Sequence, residues 1–100
     1  MDNRNEEIMC YIAKMYKEIK QEVAEGKRKM PNNYVLDSGV EFIRYIDQLV
    51  ELLPPEYERI IRNDYLNERN KKWWQEYFKK STYYRRKSEA VEAFVDCVTL

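Results

Sequence analysis

Apolar residues recur along this chain at intervals of three and four. Ile8, Ile12, Met15, Ile19 and Val23 form the first series, widened by Tyr11 and Tyr16. Residues at these spacings share one face of an α-helix, so the series predicts a helix over 5–25 with one buried stripe. Gly26 is the expected stop, because glycine accepts the left-handed conformation that closes a helix. Residues 27–36 read as a loop, with Pro31-Asn32-Asn33 supplying turn chemistry. A second series, Val40, Ile43, Ile46, Val50 and Leu53, is flanked by Phe42, Tyr45, Leu49 and Leu52. So wide an apolar surface predicts the central helix of the core. Ser38 and Glu41 have capping-box spacing, which places its start at Asp37 or Ser38.

Pro54-Pro55 ends that helix, since proline has no N–H to donate. Pro55 also suits the first turn of the next helix, expected over 55–66 with Tyr57, Ile60, Ile61 and Tyr65 inward. Asn67-Glu68-Arg69-Asn70 is a polar break. Trp73, Trp74, Tyr77 and Phe78 predict a short helix over 71–78. A final helix is expected over 81–98. Tyr83, Ala90, Val91, Phe94 and Val98 line its inner stripe, and Lys87 lays its alkyl stem along it. Thr82, Arg85, Arg86, Glu89 and Glu92 fall mainly outside. No segment alternates as a strand would, and no repeat is present. The pattern is that of an all-α protein of about five helices in one small domain.

Composition narrows the chemistry. One hundred residues suit one domain with a modest core. No apolar run reaches the length of about 18 residues that a membrane span needs. The polar, acidic start lacks the order of a secretory signal, so a cytoplasmic protein is expected. Cys10 and Cys97 sit singly in apolar patterns and read as small buried hydrophobes, with a bridge between the two ends as the alternative. Histidine is absent, which removes the commonest general base and the commonest transition-metal ligand. Two isolated cysteines do not make a zinc site, and two glycines do not make a phosphate loop. The acidic pairs Glu6-Glu7 and Glu56-Glu58 have no ligand set around them and read as helix-start charges. No catalytic residue, metal site or cofactor is expected, and the chain does not read as an enzyme.

Charge is balanced overall but not along the chain. The formal net charge is 0. Within 69–87, however, Arg69, Lys71, Lys72, Lys79, Lys80, Arg85, Arg86 and Lys87 are opposed only by Glu76. Such asymmetry marks an anion-facing surface on an otherwise acidic body. The densest part is Lys79-Lys80-Ser81-Thr82-Tyr83-Tyr84-Arg85-Arg86-Lys87. A helix that opens this way has hydroxyls for phosphates and guanidinium groups for base edges. A solvated basic helix end, with Arg85 paired to Glu89, fits the same residues. Trp73 and Trp74 read as core, one of them at a boundary; base stacking and a protein partner are the other uses of exposed indoles. Lys27-Arg28-Lys29 is either a solvated loop or a second grip on phosphate.

The order of these features from Leu53 to Val98 carries a resemblance. A Leu-Pro-Pro-Glu start, a helix ending Asp64-Tyr65-Leu66, a short helix and a Ser-Thr-x-x-Arg-Arg opening resemble region 4 of bacterial sigma factors. Ser81-Thr82-Tyr83-Tyr84-Arg85-Arg86-Lys87 is similar to phage late-gene transcriptional regulators of the ArpU type. The chain also looks like a small family of mollicute proteins with a Trp-Trp and a Ser-Thr-Tyr-Tyr-Arg signature. The resemblance divides the domain, 1–100, into an N-terminal helical part, 1–53, and a helix-turn-helix-like part, 54–100. It implies that 71–78 is the first helix of the motif and 81–98 the reading helix. Ser81, Thr82, Arg85 and Arg86 then face DNA, Lys79, Lys80 and Lys87 neutralise phosphates, and Lys71 and Lys72 touch the flanking backbone. Tyr83 takes a buried aliphatic position, and Tyr84 sits at the protein–backbone boundary. Trp73-Trp74 stands where such motifs have a small residue, and the turn has no glycine. Wider separation or a changed crossing angle of the two helices is therefore expected.

The implied function is that of a sigma region 4-like, DNA-binding transcriptional regulator, monomer or homodimer, acting on double-stranded DNA without chemistry. The alternative is a protein–protein interaction module, with RNA polymerase as one candidate partner, that keeps the fold without binding DNA. Zero net charge and the bulky indole pair favour that alternative.

Overall fold

Four α-helices carry the chain in a computed structural model that describes residues 3–26, 34–67 and 70–98. They are α1 (Asn3–Ala24), α2 (Tyr34–Glu51), α3 (Pro55–Ile61) and α4 (Lys80–Val98). No strand occurs among the described residues. The protein is all-α. The basic loop Lys27-Arg28-Lys29, the turn at Pro31-Asn32-Asn33, and Glu68 and Arg69 of the polar break lie outside the described residues.

Local signals set most of the boundaries. Gly26 has a φ of 77° and donates its N–H to the Val23 carbonyl at 3.1 Å, which closes α1. Helix α2 begins at Tyr34, ahead of the Ser38/Glu41 motif. None of Tyr34, Val35 and Leu36 interrupts helical backbone, so the motif lies inside the helix and does not start it. Pro54, extended at ψ 145°, breaks the chain after α2. Pro55 then opens α3, and the Glu58 N–H reaches the Pro54 carbonyl at 2.9 Å.

Two elements differ from the sequence expectation. The helix expected over 55–66 is helical throughout but changes pitch. After Ile61 it passes into a π-turn, Arg62–Leu66, closed by a 2.6 Å bond from the Asn67 N–H to the Arg62 carbonyl. The extra residue lets the adjacent Tyr65 and Leu66 both bury and leaves Asp64 facing α4. The helix expected over 71–78 is only a 3₁₀ turn, Trp73–Glu76. The Asn70 side chain accepts the Lys72 N–H at 3.0 Å, and i→i−3 bonds follow. So short a segment gains little from helical propagation, and side-chain anchors described below hold it instead.

One core joins all four helices. Met9 and Tyr16 of α1, Ile46 and Val50 of α2, Ile60 and Ile61 of α3, and Val91 and Phe94 of α4 are fully buried. Helix α4 packs against α1, α2 and α3, so residues 1–53 and 54–100 share that core. The α1 stripe is rotated from its expected position. Met9, Ile12, Ala13 and Tyr16 face inward, while Ile8, Met15, Ile19 and Val23 are half-buried. Cys10, beside Met9, consequently points outward; Cys97 is half-buried, and neither forms a disulfide. Neither is the buried hydrophobe expected.

Three tyrosines fasten the helices to one another through carboxylates. Tyr16 of α1 donates to Asp47 of α2 at 2.8 Å, and Asp47 also meets Arg62 at 3.4 Å. Tyr65 of the π-turn donates to Glu6 of α1 at 2.9 Å. Tyr83 of α4 donates to Asp64 of the π-turn. Burial of the ring, then the neighbouring carboxylate, pushes all three phenols upward, Tyr16 to about 12.

Two outcomes follow for stability. A phenol whose pKa is raised by folding stabilises the protein fully below its unfolded value and loses that contribution as pH rises through the folded one. The Tyr16 contribution therefore disappears between about pH 10 and pH 12. Urea midpoints measured across that window should fall less steeply for Tyr16→Phe than for the wild type; parallel curves contradict the assignment. Phe94→Ala, which empties a fully buried site between four helices, should cost about 3–5 kcal/mol in urea unfolding.

Candidate nucleic-acid interface

The basic segment begins where the 3₁₀ turn feeds into α4. Lys79 supplies the carbonyl that accepts the Tyr83 N–H at 2.8 Å, and Lys80 is the first helical residue. Ser81 therefore lies inside the first turn. That turn contains no acidic residue. Free N–H groups and the helix dipole make a helix N-terminus electropositive, so acids usually stand there and lysines add strain.

Helical geometry sorts the remaining side chains. Tyr83, Ala90, Val91 and Phe94 point to the core. Ser81 and Arg85 lie on the opposite face, and both are exposed. Further along the same outward face stand Glu92 and Asp96, also exposed. The outer face is thus basic over its first half and acidic over its second. Thr82 is half-buried on one flank; Tyr84, on the other, keeps 54% of its surface exposed.

Arg86 and Lys87 turn inward. Arg86 Nε meets Glu56 Oε1 of α3 at 2.7 Å, and its Nη1 meets Glu89 Oε1 at 3.0 Å. The hydrogen bond to Glu89, then the field of Glu56 and Glu89, raises the Arg86 pKa further. Lys87 Nζ lies 3.6 Å from Asp64 Oδ2 and about equally over the rings of Tyr65 and Tyr83, at 5.3 and 5.8 Å. Within the protein alone, both of these side chains are engaged by carboxylates. The remaining candidates, Lys71, Lys72, Lys79, Lys80 and Arg85, are exposed and form no ion pair.

Asp64 organises this end of the molecule, and its role was not legible beforehand. Its side chain is 8% exposed. Trp73 Nε1 donates to its Oδ1 at 2.7 Å, while Tyr83 and Lys87 meet its Oδ2. One carboxylate thereby ties the 3₁₀ turn and α4 to the π-turn. A cleft of about 240 Å³ beside it is lined by Asn63, Asp64, Lys71, Tyr83 and Lys87.

The two tryptophans divide their work as their adjacency requires. Trp73 is buried, with Phe78 and Tyr83 edge-on to it at 6.3 and 6.2 Å. Trp74 is half-buried and stacks on Tyr83, ring centroids 4.6 Å apart and planes 9° from parallel. Tyr84 lies against both, 5.1 Å from Tyr83 and 6.5 Å from Trp74. Tyr77 is exposed beneath the Arg59 guanidinium, 4.4 Å from the ring centre.

No group of three or more metal-binding side chains gathers among the described residues. No helix among them is long and apolar enough to cross a membrane. Compared with models of protein families, with curated proteins and with solved structures, the chain matches none.

Asp64→Ala strands the Trp73 N–H and the Tyr83 hydroxyl and leaves Lys87 without its carboxylate. It should lower unfolding free energy by about 2–4 kcal/mol. Tyr83→Phe, which removes one donor only, should cost about 1 kcal/mol. Equal losses in a urea titration would show that the carboxylate has no organising role.

Proposed function

We propose that the protein is a DNA-binding transcriptional regulator that works by binding alone, with the first half of α4 as its contact. One observation carries this reading. Lys79 and Lys80 stand on the positive end of a 19-residue helix dipole, with Arg85 on the outward face and no carboxylate paired to any of them. That arrangement is locally unfavourable in the free protein and becomes favourable beside a polyanion. The Ser-Thr-x-x-Arg-Arg opening of α4 resembles that of sigma region 4 and of ArpU-type regulators and supports the same surface, while the first helix that this resemblance implies over 71–78 is a 3₁₀ turn here.

In this reading Ser81 and Arg85 approach base edges in the major groove, and Lys79 and Lys80 hold phosphates. Lys71 and Lys72 meet the flanking backbone. Arg86 and Lys87 set the pose of α4 through Glu56 and Asp64. The acidic second half of the outer face keeps the duplex at the N-terminal end, which suits a helix entering the groove by its first turns.

Binding to duplex DNA, followed by fluorescence anisotropy over a salt series, tests the proposal. The four exposed lysines predict a slope of log K against log salt of at most about −3.6. Lys79→Ala/Lys80→Ala should reduce it by about 2, and Arg85→Ala, which removes a base-edge contact, should cost about 1–3 kcal/mol of affinity. Arg86→Ala should weaken the fold and leave the slope unchanged. Absence of binding at low salt, or binding indifferent to salt, rules the proposal out.

A protein-interaction module is favoured by a different observation. Leu52, just past the end of α2, is 78% exposed and continues the helical line of Tyr45 and Leu49. Under this reading Leu52→Ser abolishes the protein contact, and duplex DNA is not bound even at low salt.

A further inference from the structure

Tyr84, which the resemblance places at the protein–backbone boundary, takes no part in the groove contact proposed above, and its surroundings give it a role. The residue keeps 54% of its surface exposed although the Tyr83 and Trp74 rings lie 5.1 and 6.5 Å away. Trp74 is already covered on one face by the parallel Tyr83 ring at 4.6 Å, so covering Trp74 does not account for the outward surface of Tyr84. Lys80 and Ser88 lie one turn before and after Tyr84 on the same flank of α4, and Arg85 is its neighbour toward the outer face. Lys80 and Arg85 have no carboxylate partner. A half-exposed aromatic side chain on a helix turn that also carries cations without carboxylate partners matches a nucleotide part by part: ring against base, cation against phosphate. In closed duplex DNA the base faces are stacked on one another and out of reach; only the edges show in the grooves.

We infer that Tyr84, backed by Trp74 and Tyr83, is a stacking site for an unpaired nucleobase. The preferred partner is then DNA whose duplex carries an unpaired segment, with Tyr84 on the unpaired base and Lys79 and Lys80 on the adjoining backbone. This rests on the proposed DNA contact of α4 but adds a requirement which that proposal lacks. The aromatic step lies at the edge of the Ser81–Arg85 face, so groove contact and stacking engage at a junction between paired and unpaired DNA.

The experiment compares a closed duplex with the same duplex carrying a forked end, at one fixed salt concentration. Anisotropy is measured for the wild type, Tyr84→Leu, Tyr84→Trp and Arg85→Ala. Stacking of one base predicts tighter binding to the fork by roughly 5- to 100-fold. Tyr84→Leu, which keeps an apolar cover over Trp74, should abolish the preference for the fork. Tyr84→Trp should retain the preference, and Arg85→Ala should weaken both probes alike. Equal affinity of the wild type for the two probes, or a fork preference that survives Tyr84→Leu, overturns the inference while leaving the duplex reading intact. Binding to the fork alone overturns the duplex reading and upholds the stacking site. Binding to neither overturns both.

Discussion

Asp64 is where the C-terminal half of this protein is held together. Its carboxylate is almost out of water, and donors from the 3₁₀ turn and from two successive turns of α4 converge on it. An isolated carboxylate in such a place is heavily penalised; one that receives an indole N–H, a phenol and an ammonium is stabilised. The π-turn makes this possible. By accommodating one residue more than an α-turn, it buries Tyr65 and Leu66 together and still presents Asp64 to α4. The position of the basic helix end thus depends on a local change of pitch in α3.

The same network decides which cations remain outside. Lys87 is drawn to Asp64, and Arg86 bridges Glu56 and Glu89, so neither extends freely into solvent. Arg85, between them and the helix start, faces away from the core. A run of like charges in sequence is therefore divided into an inward set that fixes the helix and an outward set that defines a surface. The outward set coincides with the positive end of the helix dipole, and the two fields add. Tyrosine–carboxylate bonds play the corresponding part elsewhere, joining α1 to α2 through Asp47 and α1 to the π-turn through Glu6. Donor and acceptor in these pairs are 31 and 59 residues apart in the chain.

Much of the backbone was legible in advance. Gly26 and the Pro54-Pro55 pair marked real helix ends, because their backbone constraints act locally. The inner stripe of α4 was readable from its periodicity, as was the division of Trp73 and Trp74 between core and boundary. The failures have physical causes. Trp73, Trp74, Tyr77 and Phe78 have helical spacing, yet four residues of 3₁₀ turn form there, because indole contacts with Asp64 and Tyr83 outweigh the small gain from a short isolated helix. The observed α1 stripe differs from the periodic one by part of a turn because Tyr16, apolar around its ring and polar at its tip, lies at its centre and not at its edge. Its hydroxyl finds Asp47, which allows the whole ring to bury and takes Ala13 and Met9 with it.

The sequence by itself determined an all-α chain, the main breaks between its helices and the concentration of positive charge in its last third. These follow from spacing, proline and glycine geometry, and composition, which neighbouring residues settle among themselves. Only the tertiary structure decided which basic side chains are outward, that Asp64 is a buried anchor, and that Tyr84 is left open beside a stacked indole. Those outcomes depend on carboxylates and rings brought together from distant parts of the chain, and no local pattern encodes which partner a charge will find.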